Sequence, residues 1–96
     1  IGNLLVAQYC FPLEMGWDTA IEACKSLGEG WRLPTKKELN SLCSLNKDIR
    51  QSQAMDYWSS TELSIQRAWV QYFPGCDSYH SNKGKEYVVR AVKSLK

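Results

Sequence analysis

Four cysteines (Cys10, Cys24, Cys43, Cys76) and a single histidine, His80, are the first candidates for chemistry in the chain. The cysteines stand 14, 19 and 33 residues apart, with no Cys-x-x-Cys pair. A zinc site draws closely spaced Cys and His ligands together, so this spacing argues against one. Two disulfides in any of three connectivities, or buried thiols packed as small hydrophobes, both fit the count. Ser59-Ser60-Thr61 offers hydroxyl nucleophiles. Activating a hydroxyl takes a positioned base, and the chain has one His and no Gly-x-Ser-x-Gly elbow, so no hydrolase triad is expected. Arg32 and Arg90 have the fork geometry that grips anions, but each lies inside an apolar stretch. They are expected to pair with carboxylates such as Glu38 or Glu62, or with backbone carbonyls. Trp31, Trp58 and Trp69 could make a sugar platform, and a small domain's need for large buried side chains places them in the core instead. Residues 76–85 combine Tyr, Ser, Asn, His and Lys, types that recognise polar ligands at low ordering cost. Tyr79, His80, Asn82, Lys83 and Lys85 are therefore the candidate contact residues. A solvated hairpin of the same composition is the competing reading.

The elements that must carry these residues follow from periodicity. Leu4-Leu5-Val6-Ala7 reads as a short strand. Trp17, Ala20, Ile21, Cys24 and Leu27 form one stripe of an amphipathic helix, closed by Gly28 and Gly30. Thr35-Lys36-Lys37-Glu38 is a capping box that opens a second helix, with Leu39, Leu42, Cys43 and Asn46 down one face. Residues 46–56 are polar and aperiodic and predict a surface loop. Tyr57–Thr61 and Ala68–Phe73 read as strands, the latter apolar on both faces as in a covered sheet. Pro74-Gly75 marks a turn, Cys76–Asn82 a return strand, Lys83-Gly84-Lys85 another turn, and Tyr87–Val92 the last strand. Helices first and most strands later predict an α+β fold with a mainly antiparallel sheet.

Ninety-six residues predict one domain spanning 1–96, able to bury about 65 % of its unfolded surface. Hydrophobic residues at 44 % and charged residues at 23 % read as ordinary globular protein, and no apolar run suffices for a membrane span. Net charge is +2, too weak to argue for nucleic acid. Lys83, Lys85, Arg90, Lys93 and Lys96 against Glu86 make the C-terminal end mildly basic, either a surface for an acidic glycan or lipid or a solvated strand edge. The opening Ile1-Gly2-Asn3, without Met or signal peptide, reads as a mature or excised piece.

Five blocks then occur in order: Trp17-x-x-Ala20-x-x-x-Cys24, Gly30-Trp31-Arg32-Leu33-Pro34-Thr35-x-x-Glu38-Leu39, Tyr57-Trp58-Ser59-Ser60-Thr61-Glu62, Ala68-Trp69, and Val89-Arg90-Ala91-Val92. From about residue 4 to 94 the chain resembles the family known as the Fibrobacter succinogenes major paralogous domain, or Lcl C-terminal-like domain. The resemblance implies a C-type-lectin-like fold, with two helices flanking a twisted sheet and the first and last strands paired. It is similar, more distantly, to formylglycine-generating-enzyme domains. Members look like parts of secreted or surface-anchored bacterial proteins, adhesins and phage structural proteins. One branch is implied to bind sulfated glycosaminoglycans. The motifs Glu-Pro-Asn, Gln-Pro-Asp and Trp-Asn-Asp of calcium-dependent lectins do not occur here, so neither metal nor cofactor is expected. Lectin-like folds tie the first helix to a late strand by a disulfide. The last strand here has no Cys, so a Cys24–Cys43 pair, or one using Cys76, would depart from that pattern. The formylglycine chemistry needs two close Cys near the C-terminal end, where only Cys76 stands. The resulting expectation is a non-catalytic binding or adhesion module, extracellular or on the cell surface. It would contact an acidic polysaccharide or a protein without calcium, and oligomerise, if at all, through its parent chain. The alternatives are an assembly domain of a surface or phage-tail protein and, behind it, a formylglycine-generating-type enzyme.

Overall fold

The computed structural model describes residues 4–7, 11, 13–45, 55–73 and 75–94. In chain order these form β1 (Leu4–Val6), α1 (Trp17–Lys25), β2 (Trp31–Arg32), α2 (Lys36–Leu45), β3 (Met55–Glu62), β4 (Arg67–Phe73), β5 (Ser78–Asn82) and β6 (Val92–Ser94). The strands make two antiparallel three-stranded sheets, in the orders β1-β6-β2 and β3-β4-β5. The expected pairing of first and last strands is present, with Leu4 opposite Ser94 and Val6 opposite Val92.

The helix signals act as the residues predict. Ala20 and Cys24 of α1 are buried. Gly28 and Gly30 follow with φ of 135° and 90°, a region that costs a side chain dearly, and the chain turns there toward β2. Leu27 lies beyond the helix and is exposed rather than part of its buried stripe. In the capping box, the Glu38 amide donates to Thr35 Oγ1 at 3.1 Å and the Thr35 amide donates to Glu38 Oε1 at 2.9 Å. Leu39, Leu42 and Cys43 then face inward; Asn46 and most of the expected 46–56 loop lie outside the described residues. Met55 and Asp56 belong to β3.

One expected sheet is in fact two, and the Tyr87–Val92 segment is the reason. Tyr87 bridges Met15, Val88 bridges Tyr57, and regular pairing begins only at Val92. The segment crosses from one sheet to the other, so it cannot form a continuous strand in either. Two apolar clusters fill the interior. One joins Ala20, Cys24, Leu33, Trp58, Ala68, Val70, Val89 and Ala91. The other joins Leu39, Leu42, Cys43, Tyr57, Phe73 and Val92.

A disulfide links Cys43 of α2 to Cys76 in the β4–β5 connection, with Cα atoms 5.7 Å apart. Cys76 is therefore used, and Cys24 is a free buried thiol. Cys10 lies outside the described residues.

Candidate functional site

Strand alternation decides which face each side chain of β3-β4-β5 takes. On β4, Ala68 and Val70 are buried among Trp58, Ala20 and Cys24, on the side covered by α1. Trp69, Gln71 and Phe73 point the other way, toward α2. The register sets Tyr79 opposite Val70 and Ser81 opposite Ala68, but His80 opposite Trp69 and Ser78 opposite Gln71. The two central candidates, Tyr79 and His80, thus occupy opposite faces of the sheet.

On the α1 face the polar groups are absorbed by the fold. Tyr87 donates its hydroxyl to Ser81 at 2.8 Å, and its ring meets Trp58 edge-on at 4.9 Å and Tyr79 at 6.2 Å. Partial burial, then the neighbouring Asp56 carboxylate, hold the Tyr79 hydroxyl above its ordinary pKa. The turn after β5 is likewise structural. Asn82 Oδ1 accepts the Gly84 amide at 2.8 Å, and Asn82 O accepts the Lys85 amide at 3.0 Å. Lys83, another candidate contact residue, has its ammonium 2.6 Å from Glu62 and 4.2 Å from the Trp17 ring centroid, and its carbonyl accepts the Trp17 amide. Lys85 is exposed.

The α2 face is different. Lys36 Nζ sits 3.6 Å from the centroid of the Trp69 ring, and His80 meets the same ring edge-on at 5.4 Å. Gln71 is buried, accepting from Ser78 Oγ at 2.5 Å and donating to Asn40 Oδ1 at 3.4 Å. The Lys36 amide donates to Thr61 Oγ1 at 2.9 Å. Between α2 and the sheet lies an open cleft of about 490 Å³ lined by Thr35, Lys36, Lys37, Asn40, Thr61 and Ser78. The capping box sets the start of α2, and the Cys43–Cys76 bridge ties the helix to the loop leading into β5. Both walls of the cleft are therefore fixed.

Sequence reasoning missed Lys36, Lys37, Asn40 and Trp69 as surface groups. Trp58 and Trp31 do pack in or against the first cluster, whereas Trp69 is only half-buried. Gln71, on the same face two residues on, was the available signal that this side of β4 is not wholly apolar.

The arginines are scaffold. Arg32 grips Glu38 through two hydrogen bonds of 2.8 and 2.9 Å, and Arg90 Nε donates to the Ala7 carbonyl at 2.9 Å. The guanidinium, then the Thr35 bonds, hold the Glu38 carboxyl below its ordinary value despite partial burial. Ser59 is buried, its hydroxyl donating to the Trp69 carbonyl at 2.7 Å. Burial pushes the Cys24 thiol up to about 11, which keeps it protonated and a poor nucleophile. Among the described residues no group of three or more His, Cys, Asp or Glu stands together, and no helix is long and apolar enough to cross a membrane.

Among curated proteins no sequence relative is found. Among solved structures, the chain is similar to EMS16, an antagonist of the collagen receptor integrin α2β1, with a TM-score of 0.66 at 13 % identity. The likeness covers 93 % of this chain and 96 % of that one, and it shows a C-type-lectin-like fold. The sequence profile of the Lcl C-terminal domain matches residues 6–93, and the chain belongs to that family.

Proposed function

We propose that this chain is a non-catalytic binding module of a secreted or surface-exposed protein, recognising a protein or an acidic glycan without calcium. The observation that carries the reading is the α2 face, where Lys36 lies over the Trp69 ring and His80 meets that ring edge-on, next to the cleft lined by Lys36, Lys37, Asn40 and Ser78. Such a surface offers donors, a cation and an aromatic ring that are already ordered, so binding incurs little further entropy loss. The fold likeness to an integrin antagonist supports protein contact as one mode. The buried, hydrogen-bonded Ser59 and the protonated Cys24 supply no nucleophile to that cleft.

His80 and Lys85 remain contact residues, and Tyr79 forms the rim on the opposite face. Asn82 and Lys83 act by shaping the turn that presents them. The test is an array of glycans and extracellular-matrix proteins, read at low and physiological salt, with and without EDTA. Binding that survives EDTA and falls with Lys36→Gln/Lys37→Gln is expected. An array with no hit at low salt, where charge contacts are strongest, would remove the reading.

A further inference from the structure

β5 is an edge strand: the sheet order is β3-β4-β5, and no described strand pairs with its outer side. The opposite edge of that sheet is covered, since the Trp58 amide donates to Val88 O, the Val88 amide to Asp56 O, and the Ser60 amide to Pro34 O. The direction of the β5 backbone follows from the ladder. The Tyr72 amide donates to Asp77 O at 2.8 Å and the Lys83 amide to Gln66 O at 2.9 Å, at either end of one continuous register. Antiparallel pairing alternates, so Tyr79 and Ser81 turn their backbone groups to β4, while Ser78, His80 and Asn82 turn theirs outward. The Asn82 carbonyl is taken by Lys85. The amides and carbonyls of Ser78 and His80, and the Asn82 amide, have no partner among the described residues.

Exposed edges are commonly blunted by Lys or Pro within the strand, by a bulge, or by a covering loop. Ser78-Tyr79-His80-Ser81-Asn82 contains neither Lys nor Pro, and its pairing with β4 runs without a bulge. The charges stand beside it, all of one sign on one face. Lys36 and Lys37 line the cleft, and exposed Arg67 lies opposite Asn82. Three of the carboxylates nearby are turned away from that face or already paired. Asp56 and Glu62 pair with Tyr72 and Ala68, on the α1 side, and Glu38 is held by Arg32.

We infer that the β5 edge is a docking site for an extended acidic peptide, added as a fourth strand with its carboxylates toward the α2 face. This rests on the binding-module reading above and names its partner class. Main-chain bonds to Ser78 and His80 supply the pairing, and the cations of the α2 face select the charge. A strand there shows every second residue to Lys36, Lys37 and Arg67. The preferred sequence therefore alternates acidic with β-branched residues.

The probe is an acetylated peptide of about ten residues alternating Glu and Val, titrated by fluorescence anisotropy. The wild-type domain should bind it, and His80→Pro should weaken binding about tenfold or more, because proline removes an outward amide and crowds the incoming strand. His80→Ala, which keeps that amide, should weaken binding less than His80→Pro does. Lys36→Gln/Lys37→Gln should weaken it and flatten its salt dependence. N-methylation of alternate peptide amides on the pairing edge should abolish binding with the charges intact, a control that needs no variant protein to fold. Equal binding of the methylated probe, or full binding by a folded His80→Pro domain, would overturn the inference. So would heparin binding that alone responds to the lysines, which assigns the face to a glycan. Light scattering showing a dimer broken by His80→Pro would also overturn it, since the occupant is then a second copy. An array hit without peptide binding overturns only the peptide, whereas a blank array removes the module reading itself.

Discussion

The two faces of the β3-β4-β5 sheet treat tryptophan in opposite ways. On the α1 face, Trp58 is 1 % exposed, its indole donates to Met15 O at 2.8 Å, and Tyr87 closes over its ring. The Tyr87 hydroxyl there donates to the buried Ser81. On the α2 face, Trp69 is half-buried and its ring is met by Lys36 and His80 rather than by aliphatic side chains. The strands are the same; the difference lies in what packs on them. A helix presenting Ala20 and Cys24 seals a sheet, whereas the first turn of one presenting Lys36, Lys37 and Asn40 leaves it polar and open.

The sharpest way to break this contrast is to truncate both rings. Trp58→Ala should destabilise the domain by about 3–5 kcal/mol, the cost of emptying a large core site. Trp69→Ala should cost far less, on the order of 1 kcal/mol, since cation–π contacts at accessible sites contribute modestly. Urea unfolding of the two variants measures the difference, and equal losses would erase the distinction between faces. Next in size is the Cys43–Cys76 bridge. Its removal by Cys43→Ser/Cys76→Ser should lower stability by about 2–4 kcal/mol, because it closes a 33-residue separation in the unfolded chain. The same variant should weaken ligand binding at the α2 face more than Trp58→Phe does, as read by array titration. Thr35→Ala should cost about 1 kcal/mol by leaving an amide of α2 uncapped.

The smallest effect is a pH dependence. The folded state holds Glu38 ionised to lower pH than the unfolded chain does, below its ordinary value of 4.5. The Arg32–Glu38 contribution is therefore present above about pH 4.5 and fades as acid protonates the carboxylate. Glu38→Gln should remove that acid-side slope while leaving the neutral-to-alkaline profile parallel to wild type. Thermal melts across that range decide it.

Much of this frame is legible in the residues because its signals are local. Thr35 and Glu38 are three apart and can satisfy one another's amides only at a helix start. Arg32 within an apolar stretch needs a partner, and Glu38, six residues on, stands at the start of the next helix. The missed parts depend on long-range choices. β2 is two residues long and exists because β6 lies beside it. Tyr87–Val92 has strand-type residues, yet it serves two sheets. Trp69 sits in a run apolar on both sides, and nothing local says that lysines, rather than leucines, will cover it. For the bridge, four cysteines allow several pairings, and only the fold brings Cys43 and Cys76 within reach. The contact residues divided for a related reason. The candidates come from composition, and on the expected return strand, here Ser78–Asn82, neighbours in sequence face opposite ways.

The central claim is that recognition belongs to the α2 face and the β5 edge, with the rest acting as frame. Hydrogen–deuterium exchange of the domain, free and bound to its strongest array hit, tests this most directly. Protection on binding should concentrate in residues 78–82 and in the first turns of α2. Protection confined to the β1-β6-β2 sheet, with residues 78–82 unchanged, would contradict it.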